Sequence, residues 1–211
     1  MRKTIFIAIT MATVSISTQA QSFEEVLSKT LDTFQRTDTL DQKLNATNRL
    51  DLIALRYRDQ WAAFYYVAYA KIVTSYLLKD ESKKDAWLDQ AERALEQATT
   101  LYGKPWDELS TLKAYLSNAR LVVGNRWKKF GPIFEANLEE AKKLNPDNPR
   151  IYFLKGQSLF YTPKAFGGGA KKALPYFEKA SLLFQNDSRA DILKPHWGEK
   201  ENTYYLEKCK E

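Results

Sequence analysis

The chain has one cysteine, Cys209, and one histidine, His196. A lone thiol cannot staple its own chain, so the fold must be held by burial. Cys209 is then either an inert tail residue or one half of an intermolecular disulfide in an oxidising compartment. A single histidine with no cysteine or histidine companion at ligand spacing argues against zinc, and Pro195-His196-Trp197 reads as a packed connector. A GxxxxGKS or GxxxxGKT phosphate loop is missing, and so is any nucleophilic serine or cysteine motif. Acids such as Glu135, Glu139 and Glu140 fall on solvent faces, with no pair poised for proton transfer. No catalytic residue, metal or cofactor is therefore assigned, and the chain reads as a non-enzyme. Charge of one sign is also scarce. The formal net charge of +6 falls by two if Arg2 and Lys3 are removed with a leader, which is too little to demand nucleic acid.

The first twenty residues, MRKTIFIAITMATVSISTQA, place two cations ahead of an apolar run and small residues at Thr18 and Ala20. This is the layout of a signal peptide, with cleavage expected after Ala20 and a periplasmic or secreted product; an uncleaved amphipathic first helix is the competing reading. With 44% hydrophobic and 13% aromatic residues, the remaining 21–211 suit one globular domain and not a disordered chain. Trp61 to Leu78 carries only Lys71 as a charge, and as a helix it would measure about 27 Å, close to a membrane thickness. Four tyrosines and the central lysine favour a helix buried in protein, so no transmembrane segment is expected after signal cleavage.

Apolar residues recur at three- and four-residue spacing throughout, which predicts an all-α fold. Ser22 to Arg36 opens with a capping-box spacing, Ser22 to Glu25, and a second helix covers about Leu40 to Tyr57. Helix pairs are then expected over 61–102, 106–144 and 148–185. Within them the second helices begin near Lys84, near Pro132 and after a break at Thr162 to Gly169, and the first helix of the 106–144 pair stops at Gly124-Asn125. Asn148 caps a helix opening at Pro149, and Gly156 lets a neighbour approach closely. After a turn-like Asp187 to Lys194, a last helix from Glu199 to about Lys208 grips the stack through Tyr205 and Leu206.

Three second helices share one pattern: Ala91, Leu95, Ala98; Phe134, Leu138, Ala141; Ala173, Phe177, Ala180. With Tyr152, Gly156 and Pro146 this resembles the tetratricopeptide repeat. Consecutive closing alanines stand 43 and 39 residues apart, against about 34 in that family, and Phe134 occupies a position that is normally small. The resemblance implies an all-α, tetratricopeptide-like solenoid of antiparallel helix pairs with a C-terminal capping helix. The segments at Trp61, Leu144, Tyr161 and Pro195 (WxxxYYxAY, LNPxNPR, YTPxAFGGG, PxWG) also resemble a group of exported bacterial helical-repeat proteins with no established activity.

Two surfaces follow. The family's usual contact face, carried over by register, falls on Arg150, Phe153, Gln157, Phe160, Tyr161, Tyr115 and Asn118. It forms a groove for a protein or peptide partner, unless the terminal helices or aromatics fill it themselves. The turns inside each pair would align along one edge and gather Lys83, Lys84, Arg126, Lys128, Lys129, Lys164 and Lys171 with interleaved aromatics. That edge either binds an anionic partner or is a solvated rim. Phe166-Gly167-Gly168-Gly169 reads as a turn that needs positive φ and not as a phosphate cradle. The expected function is an exported interaction scaffold in a bacterial envelope; the alternative is a carrier of an anionic small molecule, lipid headgroup or glycan held at the lysine edge. N-terminal sequencing of the exported protein should read Gln-Ser-Phe from Gln21; a product that still begins at Met1 would contradict the leader.

Overall fold

Four helices start where a side chain can accept from the free backbone N–H groups of the first turn. Ser22 Oγ accepts from the Glu25 amide at 3.2 Å ahead of α1 (Phe23–Arg36), and Thr39 caps α2 (Leu40–Arg56). Asp80 caps α4 (Glu81–Tyr102), and Asn148 caps α7 (Pro149–Tyr161). The remaining helices are α3 (Trp61–Ser75), α5 (Asp107–Leu121), α6 (Trp127–Leu144), α8 (Ala170–Phe184) and α9 (Glu199–Lys208). A 3₁₀ turn, Lys164–Phe166, lies between α7 and α8. The computed structural model describes residues 22–121, 126–187 and 191–211. The leader over 1–20, Val122, the stop at Gly124-Asn125 and part of the Asp187 to Lys194 turn lie outside the described residues.

Among the described residues there are nine α-helices and no strand, and the pairs α3/α4, α5/α6 and α7/α8 pack most extensively. The repeated triads are the seams. Ala91, Leu95, Ala98, Phe134, Leu138, Ala141, Ala173, Phe177 and Ala180 are all buried. Helix α3 runs through the interior and is buried on nearly every side. Its one charge is satisfied there: Lys71 Nζ lies 2.8 Å from Asp51, 3.1 Å from Gln90 and over the Trp87 ring. No helix among the described residues is long and apolar enough to cross a membrane.

Hydrogen bonds hold α3, α5 and α7 level with one another. At one end Asn148 reaches Asp107 and Glu108 at the start of α5; at the other Asn118 donates to Tyr76 and Gln157. Two helices begin earlier than the sequence predicts. Helix α4 starts at Glu81 because Asp80 caps it, which places Lys83 and Lys84 in its first turn. Helix α6 starts at Trp127 and runs through Pro132, its sixth residue, whose ring gives up the bond to the carbonyl four residues back.

Glycine matters most at Gly156, where an added Cβ would sit 2.7 Å from the Phe177 ring. Gly156→Ala should destabilise the protein by about 1–3 kcal/mol through overpacking. Gly131→Ala, with nothing within 4 Å of its Cβ, should stabilise by about 0.5–1 kcal/mol through helix propensity. Urea unfolding of both variants checks the contrast; equal effects would contradict the close approach.

Candidate functional site

The chain's own C-terminal segment lies against α3, α5 and α7, over the face of α5 and α7 that the sequence marks as a groove. Trp197 is 3% exposed. Its indole stacks between Tyr69 and Tyr115, with centroids 5.3 Å away on each side, and its Nε1–H donates to Tyr65 Oη at 2.9 Å. Tyr66 donates to the backbone carbonyls of Ile192 and Lys194. Arg150, from the first turn of α7, ties this segment down. It pairs with Glu108 at 3.0 Å and Asp187 at 2.7 Å, donates to the Pro195 carbonyl, and lies over the Trp197 and Phe184 rings. Helix α9 is anchored by Asn202, which donates to the Phe177 carbonyl and Ser181 Oγ.

Burial pushes the Glu108 carboxyl up to about 7, against the pull of the Arg150 guanidinium. A buried carboxylate without full compensation favours its neutral form. Tyr65, Tyr69 and Tyr115 are likewise pushed well up by burial, so they act here as neutral hydrogen-bonding and packing groups.

The fate of the expected groove residues follows. Arg150, Phe153, Gln157, Tyr115 and Asn118 are buried. Gln157 also donates to Tyr205 Oη at 3.3 Å. Phe160 is half-buried, and Tyr161 is 67% exposed. These two meet α9 in an aromatic shelf. The hydroxyls of Tyr161 and Tyr205 are 3.0 Å apart, Phe160 packs edge-on to Tyr205, and Tyr204 is exposed beside it. Sequence reasoning treated Tyr205 as a packing grip and passed over Tyr204. The available signal was an aromatic doublet on a short, otherwise polar helix.

The basic residues are less uniform than the sequence suggests. Arg126 is half-buried and held by Asp85 through two bonds of 2.6 Å, which lowers the Asp85 carboxyl. Lys84 is half-buried, whereas Lys83, Lys128, Lys129, Lys164 and Lys171 are exposed. The triple glycine is a turn, as its sequence predicts. Gly167 and Gly169 have φ of 83° and 95°, and a Cβ at Gly168 would lie 2.1 Å from the Thr162 carbonyl oxygen. The amides of Gly168 and Gly169 donate to Pro163 and Leu159, so they are not turned toward an anion. A separate cavity of about 220 Å³ lies beside Arg150, bordered by Gln35, Tyr69, Asp187 and Lys200.

Comparison with protein-family models and with curated proteins finds no match. Among solved structures the chain is similar to the HusA haemophore from Porphyromonas gingivalis, with a TM-score of 0.78 and 32% identity. The match covers 91% of this chain and 94% of that one.

Glu108 sets a pH dependence. Its folded value of about 7 exceeds its ordinary 4.5, so the folded state binds the extra proton between these limits. This contribution to stability is complete below about 4.5 and is lost as pH rises through 7, by a few kcal/mol at most. Glu108→Gln should remove that slope. Thermal midpoints of wild type and variant across this range check it; parallel curves would contradict the assignment.

Proposed function

This chain belongs to the family of the HusA haemophore, and from that membership we propose that it is an exported, non-catalytic carrier of a flat, anionic macrocycle of the haem type. Such a ligand has a conjugated face that stacks on aromatic rings and carboxylates at one edge that seek cations. The observation that carries this reading is the exposed Tyr161 beside Tyr205, on the part of the trough that the C-terminal segment leaves uncovered. Phe160 and Tyr204 extend the apolar floor, and Lys164 lies on the turn directly after α7. The cavity beside Arg150, at about 220 Å³, is smaller than the roughly 300 Å³ at which pockets for drug-sized ligands begin, so it does not compete as the porphyrin site.

Of the two functions read from the sequence, this favours the anionic small-molecule carrier over the protein scaffold. A partner peptide would have to displace Trp197 and the Arg150 ion pairs, whereas a porphyrin needs only the shelf. Cleavage after Ala20 and release to the periplasm or exterior complete the proposal, in keeping with a carrier that meets its ligand outside the cytoplasm.

Titration of the mature chain into hemin, followed by absorbance, should give saturable one-to-one binding. Tyr161→Ala with Tyr205→Ala should weaken it at least tenfold while helicity is kept. An unperturbed hemin spectrum, or a shelf variant that binds as tightly as wild type, would overturn the reading.

A further inference from the structure

We propose that the border formed by the start of α6 and the α7–α8 turn is a docking edge for an anionic phospholipid surface. The bonds from Asn118 to Tyr76 and Gln157 hold the ends of α3, α5 and α7 level, which sets the start of α6 and the turn after α7 along one border. Two large apolar side chains project there. Phe166 is 81% exposed and Trp127 is 60% exposed. Phe166 is held out by its own backbone: its amide donates to Pro163, Gly167 donates to Lys164, and Gly169 donates to Leu159. The contact of Gly168 with the Thr162 carbonyl, possible only without a Cβ, completes the lock. The turn thus fixes a phenyl ring toward solvent, where burial alone would fold it back.

The cations around these rings are lysines. Lys128, Lys129, Lys164 and Lys171 are exposed and have no acidic partner among the described residues; Lys128 Nζ lies 5.6 Å over the Trp127 ring and Lys129 Nζ 5.0 Å over the Phe130 ring. Acids touch the border at one corner, where Asp80 caps α4, Glu81 follows it, Asp85 is held by Arg126, and Asp89, bonded to Arg120, lines the same hollow as Lys129. This chemistry fits a bilayer better than a protein. Protein interfaces are depleted in lysine, whereas lysine beside tryptophan and phenylalanine at a helix start and a turn suits the boundary between headgroups and acyl chains. Because Tyr161 ends α7 at the same border, docking would turn the mouth of the aromatic shelf toward the membrane. The docking itself does not depend on the haem reading.

The test is co-sedimentation of the mature chain with vesicles of phosphatidylcholine alone and of phosphatidylcholine mixed with phosphatidylglycerol. Binding is expected to the mixed vesicles only, and it should fall several-fold when salt is raised. Phe166→Ala with Trp127→Ala should reduce it at least fivefold, and Lys128→Glu, Lys129→Glu and Lys171→Glu together should abolish it, all without loss of helicity. Tyr161→Ala with Tyr205→Ala should bind vesicles as wild type does, which separates this proposal from hemin binding. No sedimentation with mixed vesicles would overturn it. So would retention by soluble polyglutamate that equals vesicle binding and ignores Phe166 and Trp127, since the partner would then be an acidic chain.

Discussion

A guanidinium buried to 2% exposure must be compensated on the spot, and most of this molecule's tertiary order can be traced to how Arg150 is compensated. Its partners come from three separate places: Glu108 at the start of α5, Asp187 beyond α8, and the Pro195 carbonyl in the C-terminal segment. None is a neighbour in sequence, so the cation can be satisfied only when α5, the α7–α8 pair and the tail have all docked. Removing one partner would leave a buried charge exposed to an apolar surround, typically at about 3–5 kcal/mol. Asn148 extends the same network by bridging Asp107 and Glu108, and thereby sets the level of α7 against α5.

That constraint decides what is left for function. Because Arg150 draws in the Pro195 backbone, Trp197 is set between Tyr69 and Tyr115, and the inner face of the helix stack is occupied from one end. The other end is not. There Phe160, Tyr161, Tyr204 and Tyr205 form an aromatic ledge bordered by the lysine-bearing turns. On the haem-type reading proposed above, the ledge would offer what flat ligands with carboxylate edges need more than a deep pocket: ring faces and nearby cations.

Much of the fold was legible because its signals are local. Caps at Ser22 and Asn148, the alanine-rich triads of the second helices, and the crowding at Gly156 each follow from residue type and spacing, and the structure contains all of them. The starts of α4 and α6 were misread for equally local reasons: an aspartate cap at Asp80 outweighed a lysine cluster, and Pro132 was tolerated just inside a helix instead of opening one. The site was less legible. Register assigns Arg150, Phe153, Gln157, Tyr115 and Asn118 to one face, but whether that face is open depends on contacts between distant residues, such as Gln35 with the His196 carbonyl, 161 positions apart, and Trp197 with Tyr65, 132 apart. No periodicity encodes such a contact. Likewise, a row of basic residues in sequence does not reveal that Arg126 is already held by Asp85, while Lys128 and Lys129 have no ion-pair partner among the described residues.

If a porphyrin binds on the ledge as proposed, the C-terminal segment stays in the trough. The Trp197 indole N–H, bonded to Tyr65, is a built-in reporter of that segment. Proton–nitrogen correlation spectra recorded as a diamagnetic metalloporphyrin is added test the claim most directly. The account predicts large ring-current shifts for the backbone amides of Phe160, Tyr161 and Tyr205, with the Trp197 indole resonance holding its place. Loss or large displacement of the indole resonance, with the amides around Tyr161 unmoved, would show that the ligand enters by expelling the segment and would contradict it.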